Sequence, residues 1–391
     1  MLYENLEVLA PAGDRERLEA AVDFGADAVY LAGNIFGMRA GPKNFDERAL
    51  GDAVEYAHKK RVKVHLACNT LPRNNEIAEF EGFIRNADEC GVDAVIIADM
   101  GIMGLCKKYA PRIPVHMSTQ TGIVNYAAAE QLYNMGASRV VLARELSLEE
   151  IREIREKTPK ELELECFVHG AMCVSFSGRC LLSQYLTGRD PNRGQCAQPC
   201  RWKYSLMEET RPGQYFPIDE DENGAYIFNA KDMCMIDHLD KLAAAGVTSF
   251  KIEGRAKSAY YVSVVTNAYR QAADYLRGNP NNYKLPESIR EEVFKVSHRD
   301  YCTGFYFTSP SDPNAAVQTY DNGGYIREWD VCAVITECTN ERIYAEQRNK
   351  FFEGDEIEIL APLSSPEKIR AKKMLDEEGT AIENTCHAAM K

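Results

Sequence analysis

The chain has 391 residues, of which 45% are hydrophobic and 27% charged, an ordinary globular composition that excludes disorder and low complexity. Its net charge of −13 argues against a surface coated throughout in nucleic acid, although a local basic patch stays compatible with it. No apolar run approaches the roughly 18 residues a spanning helix needs, no secretory leader is visible at MLYENLEVLAPAGD, and a cytoplasmic address without membrane contact is expected.

From the beginning, short β-rich runs alternate with amphipathic helical stretches. The expected strands are Glu7–Ala10, Ala28–Ala32, Lys63–Asn69, Ala94–Asp99, Val115–Thr119, Arg139–Arg144, Leu162–His169 and Ser249–Glu253. Between them lie helical patterns such as DRERLEAAVDFG and SLEEIREIREKT, several opening on Asp or Ser at an N-cap position. Eight strand–helix units predict a TIM-like (β/α)8 barrel, with a doubly wound open sheet as the alternative. After the seventh strand about 65 residues pass before the helix near Asp237, and a connection that long in a compact domain is usually functional. It would emerge at the C-terminal ends of the strands, where barrels carry their sites. The expected organisation is a barrel over 1–277 with a cysteine-rich insertion at 170–236, a connecting segment at 278–318, and a small C-terminal β-barrel at 319–391, where alternating strands and Gly- or Asn-containing turns recur.

Of thirteen cysteines, Cys166, Cys173, Cys180, Cys196, Cys200 and Cys234 fall in or beside the insertion. Reducing compartments disfavour structural disulfides, so clustered thiols there point to metal chemistry rather than to buried free cysteines. Spacing leaves the metal open between an iron–sulfur cluster and zinc, although paired C-x2-C knuckles are absent. Strand ends supply Asn69, Thr70, Asp99, Ser118, Gln120, Arg144, Glu145, Glu165, His169, Glu253 and Arg255. Arg144 and Arg255 suit a dicarboxylate, or alternatively ion pairs with Glu145 and Glu253. His169 is open to three roles: general base, partner of a metal ligand, or hydrogen-bonded structural histidine. His116 is expected to face the helix layer. Arg179, Arg189, Arg193, Arg201 and Lys203, interleaved with Tyr185, Trp202 and Tyr204, form a basic aromatic stretch suited to unstacked RNA or simply to solvent.

The elements E-x-F-x-x-G-A-M-C and G-x-C-L-L-S between Glu165 and Ser183 resemble the signature of the collagenase-like peptidase family, unassigned peptidases family thirty-two. GQCAQPCRWKY, FNAKDMC, FKIEGRAKSAYYV, LAPAGD and HRDYCTGFY extend the resemblance along the whole chain. The branch it is most similar to takes part in 5-hydroxyuridine formation at the wobble position of tRNA. The resemblance implies a 4Fe-4S cluster on Cys173, Cys180, Cys196 and Cys234 with Cys200 in reserve, oxygen-independent hydroxylation, prephenate as co-substrate, and tRNA as partner. It also leaves room for a paralogous subunit or a homo-oligomer. Under it, His169, Glu165, Arg144, Glu253 and Arg255 are the candidate catalytic residues. Peptide hydrolysis, which the family's name suggests, finds no G-x-S-x-G elbow or H-E-x-x-H helix here. Cys166 and His169, three apart on one strand, are expected on opposite faces.

Overall fold

The computed structural model describes residues 3, 6–38, 43–173, 175–202, 219–221, 224–226, 230–308 and 325–385. Eight parallel strands close on themselves: β1 (Glu7–Pro11), β2 (Ala28–Leu31), β3 (Lys63–Cys68), β4 (Ala94–Ile97), β5 (Val115–Met117), β6 (Arg139–Val141), β7 (Glu163–Ala171) and β8 (Ser249–Ile252). They pair in that order, and β8 is bonded to both β1 and β7, which makes the sheet a barrel and excludes the open sheet.

Helices α1 (Arg15–Asp23), α2 (Glu47–Lys59), α3 (Ile77–Cys90), α4 (Met100–Tyr109), α5 (Tyr126–Asn134) and α6 (Leu148–Glu156) fill the first six crossovers. Their starts are written in the sequence. Asp14, Asp46, Asp99 and Ser147 each accept a hydrogen bond from a backbone N–H in the first turn, which satisfies a donor the helix itself leaves open and stabilises each start by about 1 kcal/mol. After β7 come α7 (Leu182–Thr187) inside the insertion, α8 (Leu239–Ala244), and α9 (Ala259–Gly278), which is capped by Ser258 and packs on α1 and β1. The strand faces turned toward these helices, among them Val8, Val29, Leu31, Val64, Leu66, Phe250 and Ile252, are fully buried and form the main core.

The barrel axis is filled differently. Barrel interiors are usually layered with branched apolar side chains, and here Leu9, Ala28, Tyr30 and Ile96 supply only a small apolar cluster. Beneath it lies an ion-pair ladder. The Arg139 guanidinium stands 2.6 Å from Glu7 Oε1 and 3.0 Å from Glu165 Oε2, and its Nε donates to Glu163 at 2.7 Å. Lys251 Nζ donates to Glu165 Oε1 at 2.6 Å, and the Ser249 hydroxyl donates to Glu7 at 2.8 Å. His116 corrects its expected orientation: it lies beside Ile96 in register and meets the His65 ring edge-on at 4.8 Å, on the axis and not under the helices. Burial pushes the His65 imidazole down to about 4 and His116 well below its ordinary value, so both are neutral.

Beyond β7 the short strand Asp232–Cys234 returns antiparallel to the end of β7, and Tyr301–Cys302 joins its other side. The C-terminal part forms small antiparallel sheets, Ala333–Cys338 with Ile343–Gln347, Glu356–Ile359 with Glu367–Arg370, and Met374–Leu375 with Ala381–Ile382. They attach to the barrel through Asn267 of α9, which donates to Ser364 O and accepts from Leu363 N, both at 2.9 Å. Among the described residues no helix is long and apolar enough to cross a membrane.

The ladder makes two predictions. Replacing Arg139 by Met strands two buried carboxylates and is expected to cost about 3–5 kcal/mol in urea denaturation, as for other broken buried pairs; a loss under about 1 kcal/mol would contradict the ladder's role. For Glu7, burial alone would raise the carboxyl, but the Arg139 charge and hydrogen bonds outweigh it and hold it at about 2 against an ordinary 4.5. Its contribution is therefore present above pH 4.5 and lost as pH falls toward 2. Denaturation curves of wild type and Glu7→Gln should converge over that window.

Candidate active site at the barrel mouth

The C-terminal ends of the strands surround a cavity of about 70 Å³. Tyr30, Ile96, Val141 and Phe167 make its apolar wall, and Asn69, Ser118, Gln120, Arg144, Lys251, Glu253 and Arg255 supply the polar groups. Three of the predicted catalytic residues, Arg144, Glu253 and Arg255, thus meet in one place. Arg144 projects from the end of β6, donates from Nη1 to the Ala171 carbonyl at 2.8 Å, and lies 3.9 Å over the Phe167 ring. The alternative ion pair with Glu145 is absent among the described residues: that carboxylate accepts from the Ser177 N–H at 2.8 Å and from its hydroxyl. Arg255 donates to Asn44 Oδ1 at 2.7 Å, and the Tyr30 hydroxyl reaches Ile252 O at 2.9 Å and Glu253 at 3.4 Å.

Several predicted strand-end residues serve the scaffold. Asp99 caps α4, Thr70 donates to Phe36 O at 3.0 Å, and Asn69 accepts from Met38 N at 3.2 Å while also facing the cavity. Glu165 is fully buried one layer below the mouth and reaches it through Lys251. His169 is held elsewhere. A bulge in β7 opposite Lys251 and Ile252 turns it outward, between Tyr269 of α9 at 3.3 Å and Tyr301 at 3.4 Å. The Tyr269 and Tyr301 hydroxyls in turn donate to Val168 O and Val293 O, both at 2.7 Å. Burial brings the His169 imidazole down to about 3, and the position matches the hydrogen-bonded structural role of the three left open.

The bulge also overturns the expected opposition of Cys166 and His169. Cys166 registers with Phe250 and His169 with Ile252, both on the helix-facing side. Burial pushes the Cys166 thiol up to about 12, so this pair holds a thiol and a neutral imidazole, not an activated nucleophile.

The insertion roofs the mouth. Arg193 pairs with Glu76 after β3, Ser177 binds Glu145 after β6, and Gly178 packs against Gln120 after β5. Gly178 has φ +74°, and a Cβ there would come within 2.8 Å of the Gln120 carbonyl oxygen, so only glycine fits this approach. The insertion exposes Phe176, Leu181, Tyr185, Leu186 and Trp202, with Tyr185 80% exposed. Of the predicted RNA-binding residues, Arg179 and Arg189 are exposed and Arg193 is occupied by Glu76. The Arg201 side chain and Lys203 lie outside the described residues.

The cysteines stand on this roof and its edges. Cys173 is exposed at the end of β7, and Cys180, Cys196 and Cys200 are partly buried around α7 and the 3-10 turns Pro191–Arg193 and Pro199–Arg201. Cys234 lies opposite His169 in register, with its thiol 3.9 Å from the Tyr269 hydroxyl and pushed up to about 12 by burial. Among the described residues no three His, Cys, Asp or Glu side chains are gathered closely enough to share a metal ion. The thiols suit a metal centre by donor type and location; a formed coordination shell is not among the described contacts.

Sequence reasoning passed over Glu7, His65, Arg139, Ser249 and Lys251. Their signal is a period-two alternation of polar residues inside otherwise apolar strands, as in KVHLAC, ELEC and SFKIE.

The family model described as peptidase family U32 matches residues 13–316, and that of the peptidase family U32 C-terminal domain matches 327–391. A Bacillus subtilis relative named tRNA hydroxylation protein P1 is 35% identical, over 97% of this chain and 89% of its own length. An Escherichia coli relative named tRNA hydroxylation protein P is 35% identical, over 91% of this chain and 86% of its own. A Porphyromonas gingivalis relative named collagenase is 30% identical, over 97% and 94% respectively.

The Arg193–Glu76 pair should latch the roof without supporting the barrel. Arg193→Ala is expected to speed chymotryptic cleavage at Tyr185 several-fold and leave the global unfolding midpoint unchanged; cleavage at the wild-type rate would show that the latch is dispensable.

Proposed function

The chain belongs to peptidase family U32, and on that footing we propose that it is an RNA hydroxylase converting the wobble uridine of tRNA to 5-hydroxyuridine without molecular oxygen. The observation that carries the reading is end-to-end similarity to the Bacillus subtilis relative named for tRNA hydroxylation. The collagenase-named relative spans the chain as fully, so names alone do not choose between the activities. Geometry favours the RNA reading. The one Cys–His pair suggested for hydrolysis is buried and uncharged. The cationic cavity instead lies under a roof bearing exposed aromatic rings and Arg179 and Arg189.

In this reading Tyr185 and Trp202 stack unpaired bases, since every base offers a π-face and ring stacking tolerates sequence. Arg179 and Arg189 neutralise flanking phosphates. A uridine drawn out of its stack would enter between roof and mouth. A 4Fe-4S cluster on Cys173, Cys180, Cys196 and Cys234, with Cys200 in reserve, would supply one-electron transfer beside the base; zinc, the alternative on the same thiols, has no redox chemistry and would hold the roof together without taking part in the oxidation. Arg144 would hold a carboxylate of prephenate, the co-substrate implied by the family resemblance. Such a substrate places the protein in the cytoplasm.

Mass spectrometry of tRNA nucleosides tests the reading. Deleting the gene in its native host should abolish 5-hydroxyuridine, wild type should restore it, and Cys173→Ala should restore less than about a tenth. Undiminished nucleoside in the deletion strain, or full rescue by Cys173→Ala with purified protein showing peptide hydrolysis, would contradict it.

A further inference from the structure

The two sides of the mouth present different chemistry. After β6 and β8 the groups are charged and engaged. Arg255 donates to Asn44 Oδ1 at 2.7 Å, and the Glu253 carboxylate lies 3.4 Å from the Tyr30 hydroxyl. Lys251 is compensated by Glu165 at 2.6 Å, and Arg144 donates to the Ala171 carbonyl at 2.8 Å. After β3 and β5 the groups are neutral, and their hydrogen-bonding sense is fixed. Asn69 Oδ1 accepts from the Met38 N–H at 3.2 Å, so the amide cannot turn over and its NH2 group faces Ser118 and the cavity. One of those hydrogens goes to Ser118 Oγ at 3.5 Å. Ser118 Oγ also accepts from the Gln120 N–H at 3.2 Å, which fills both its lone pairs and leaves its own hydrogen to be donated. Among the described residues nothing accepts that hydrogen or the second one of Asn69, and Ser118 is only 2% exposed. A buried donor without an acceptor is costly, and this one is aimed into the cavity.

We propose that this pair of donors receives the C4 carbonyl oxygen of a uracil base, so that Asn69 and Ser118 select uracil against cytosine. The inference rests on reading the protein as a uridine-modifying enzyme, and it names the residues that choose the base. An enzyme that draws a base out of its stack reads it along the Watson–Crick edge. Uracil carries an oxygen acceptor at C4, where cytosine carries an amino group. The oxygen accepts from both donors at once. The amino group instead sets N–H against N–H and O–H, and leaves every one of them unpaired away from water. Among the described residues no hydrogen bond fixes the Gln120 side-chain amide, which can turn either end to the base and so carries no selection. The charged side, with Arg144, Lys251, Glu253 and Arg255, lies across the cavity from this pair and stays available to the co-substrate.

The experiment measures binding of single-stranded RNA heptamers to the purified full chain, in competition with a fluorescent uridine-centred heptamer. The competitors are identical except for a central uridine or cytidine. Wild type is expected to prefer uridine about tenfold, the scale of a two-donor base contact. Asn69→Asp keeps an oxygen for the Met38 N–H and turns the donor facing the cavity into an acceptor. It should abolish or reverse the preference while the cytidine heptamer still binds. Ser118→Ala should reduce the preference several-fold, and it carries the same test should Asn69→Asp fail to fold. Because Ser118 also caps the turn Thr119–Thr121, the urea midpoint of that variant is measured alongside. Equal binding of the two heptamers by wild type, binding of neither, or an unchanged preference in the folded variants would overturn the proposal. Uridine preference together with undiminished 5-hydroxyuridine in the deletion strain would keep this base site and remove the hydroxylation reading. Loss of 5-hydroxyuridine on deletion with equal binding of the heptamers would do the opposite.

Discussion

Closing eight strands into a barrel satisfies their backbone but leaves an axis to be filled, and in this chain the filling is charged. Arg139 is nearly inaccessible to water and meets carboxylates from β1 and β7 at once, while Lys251 of β8 meets one of the same carboxylates from above. Apolar packing would stabilise such an axis as well or better. What the ladder adds is a penalty for error, because a buried pair missing one member is far worse than no pair. A one-residue slip at the closing seam would turn Glu165 or Lys251 toward the helices and leave the others uncompensated. The residues concerned, 7, 139, 165 and 251, come from both ends of the barrel sequence, so the ladder is complete only when the last strand docks.

The same ladder sets the character of the mouth. Lys251 is its top rung and part of the cavity floor, so the charge presented to a ligand is held by a framework running down to Glu7. Above it the insertion is joined to the loops after β3, β5 and β6 and carries the thiols and the exposed rings. Catalytic chemistry at a barrel's C-terminal face is commonly assembled from loops. Here one long connection supplies the roof, and rigid strand ends supply the charged floor.

How far this was legible from sequence depends on which side of the strand a residue lies. All eight strands and the capped starts of their helices were readable, because apolar runs and Asp or Ser N-caps are local signals. The mouth residues Arg144, Glu253 and Arg255 were readable as strand ends. The axis was passed over: its signal, polar residues alternating with apolar ones as in KVHLAC and SFKIE, is the same that exposed charges on a half-buried strand would give, and only closure shows that Glu7, His116, Arg139 and Lys251 turn inward. His169 was misleading for another reason. A bulge shifts the alternation by one residue, and nothing in ECFVHGA marks where the extra residue is taken up.

The proposed chemistry depends most on what the insertion's thiols hold. Anaerobic purification of the full chain and of Cys173→Ala, with visible absorption, iron and acid-labile sulfide measured on both, tests this directly. A brown wild-type protein with iron and sulfide near the stoichiometry of a 4Fe-4S cluster, and a colourless mutant, is the predicted result. Zinc in place of iron, or a wild type without metal, would contradict it.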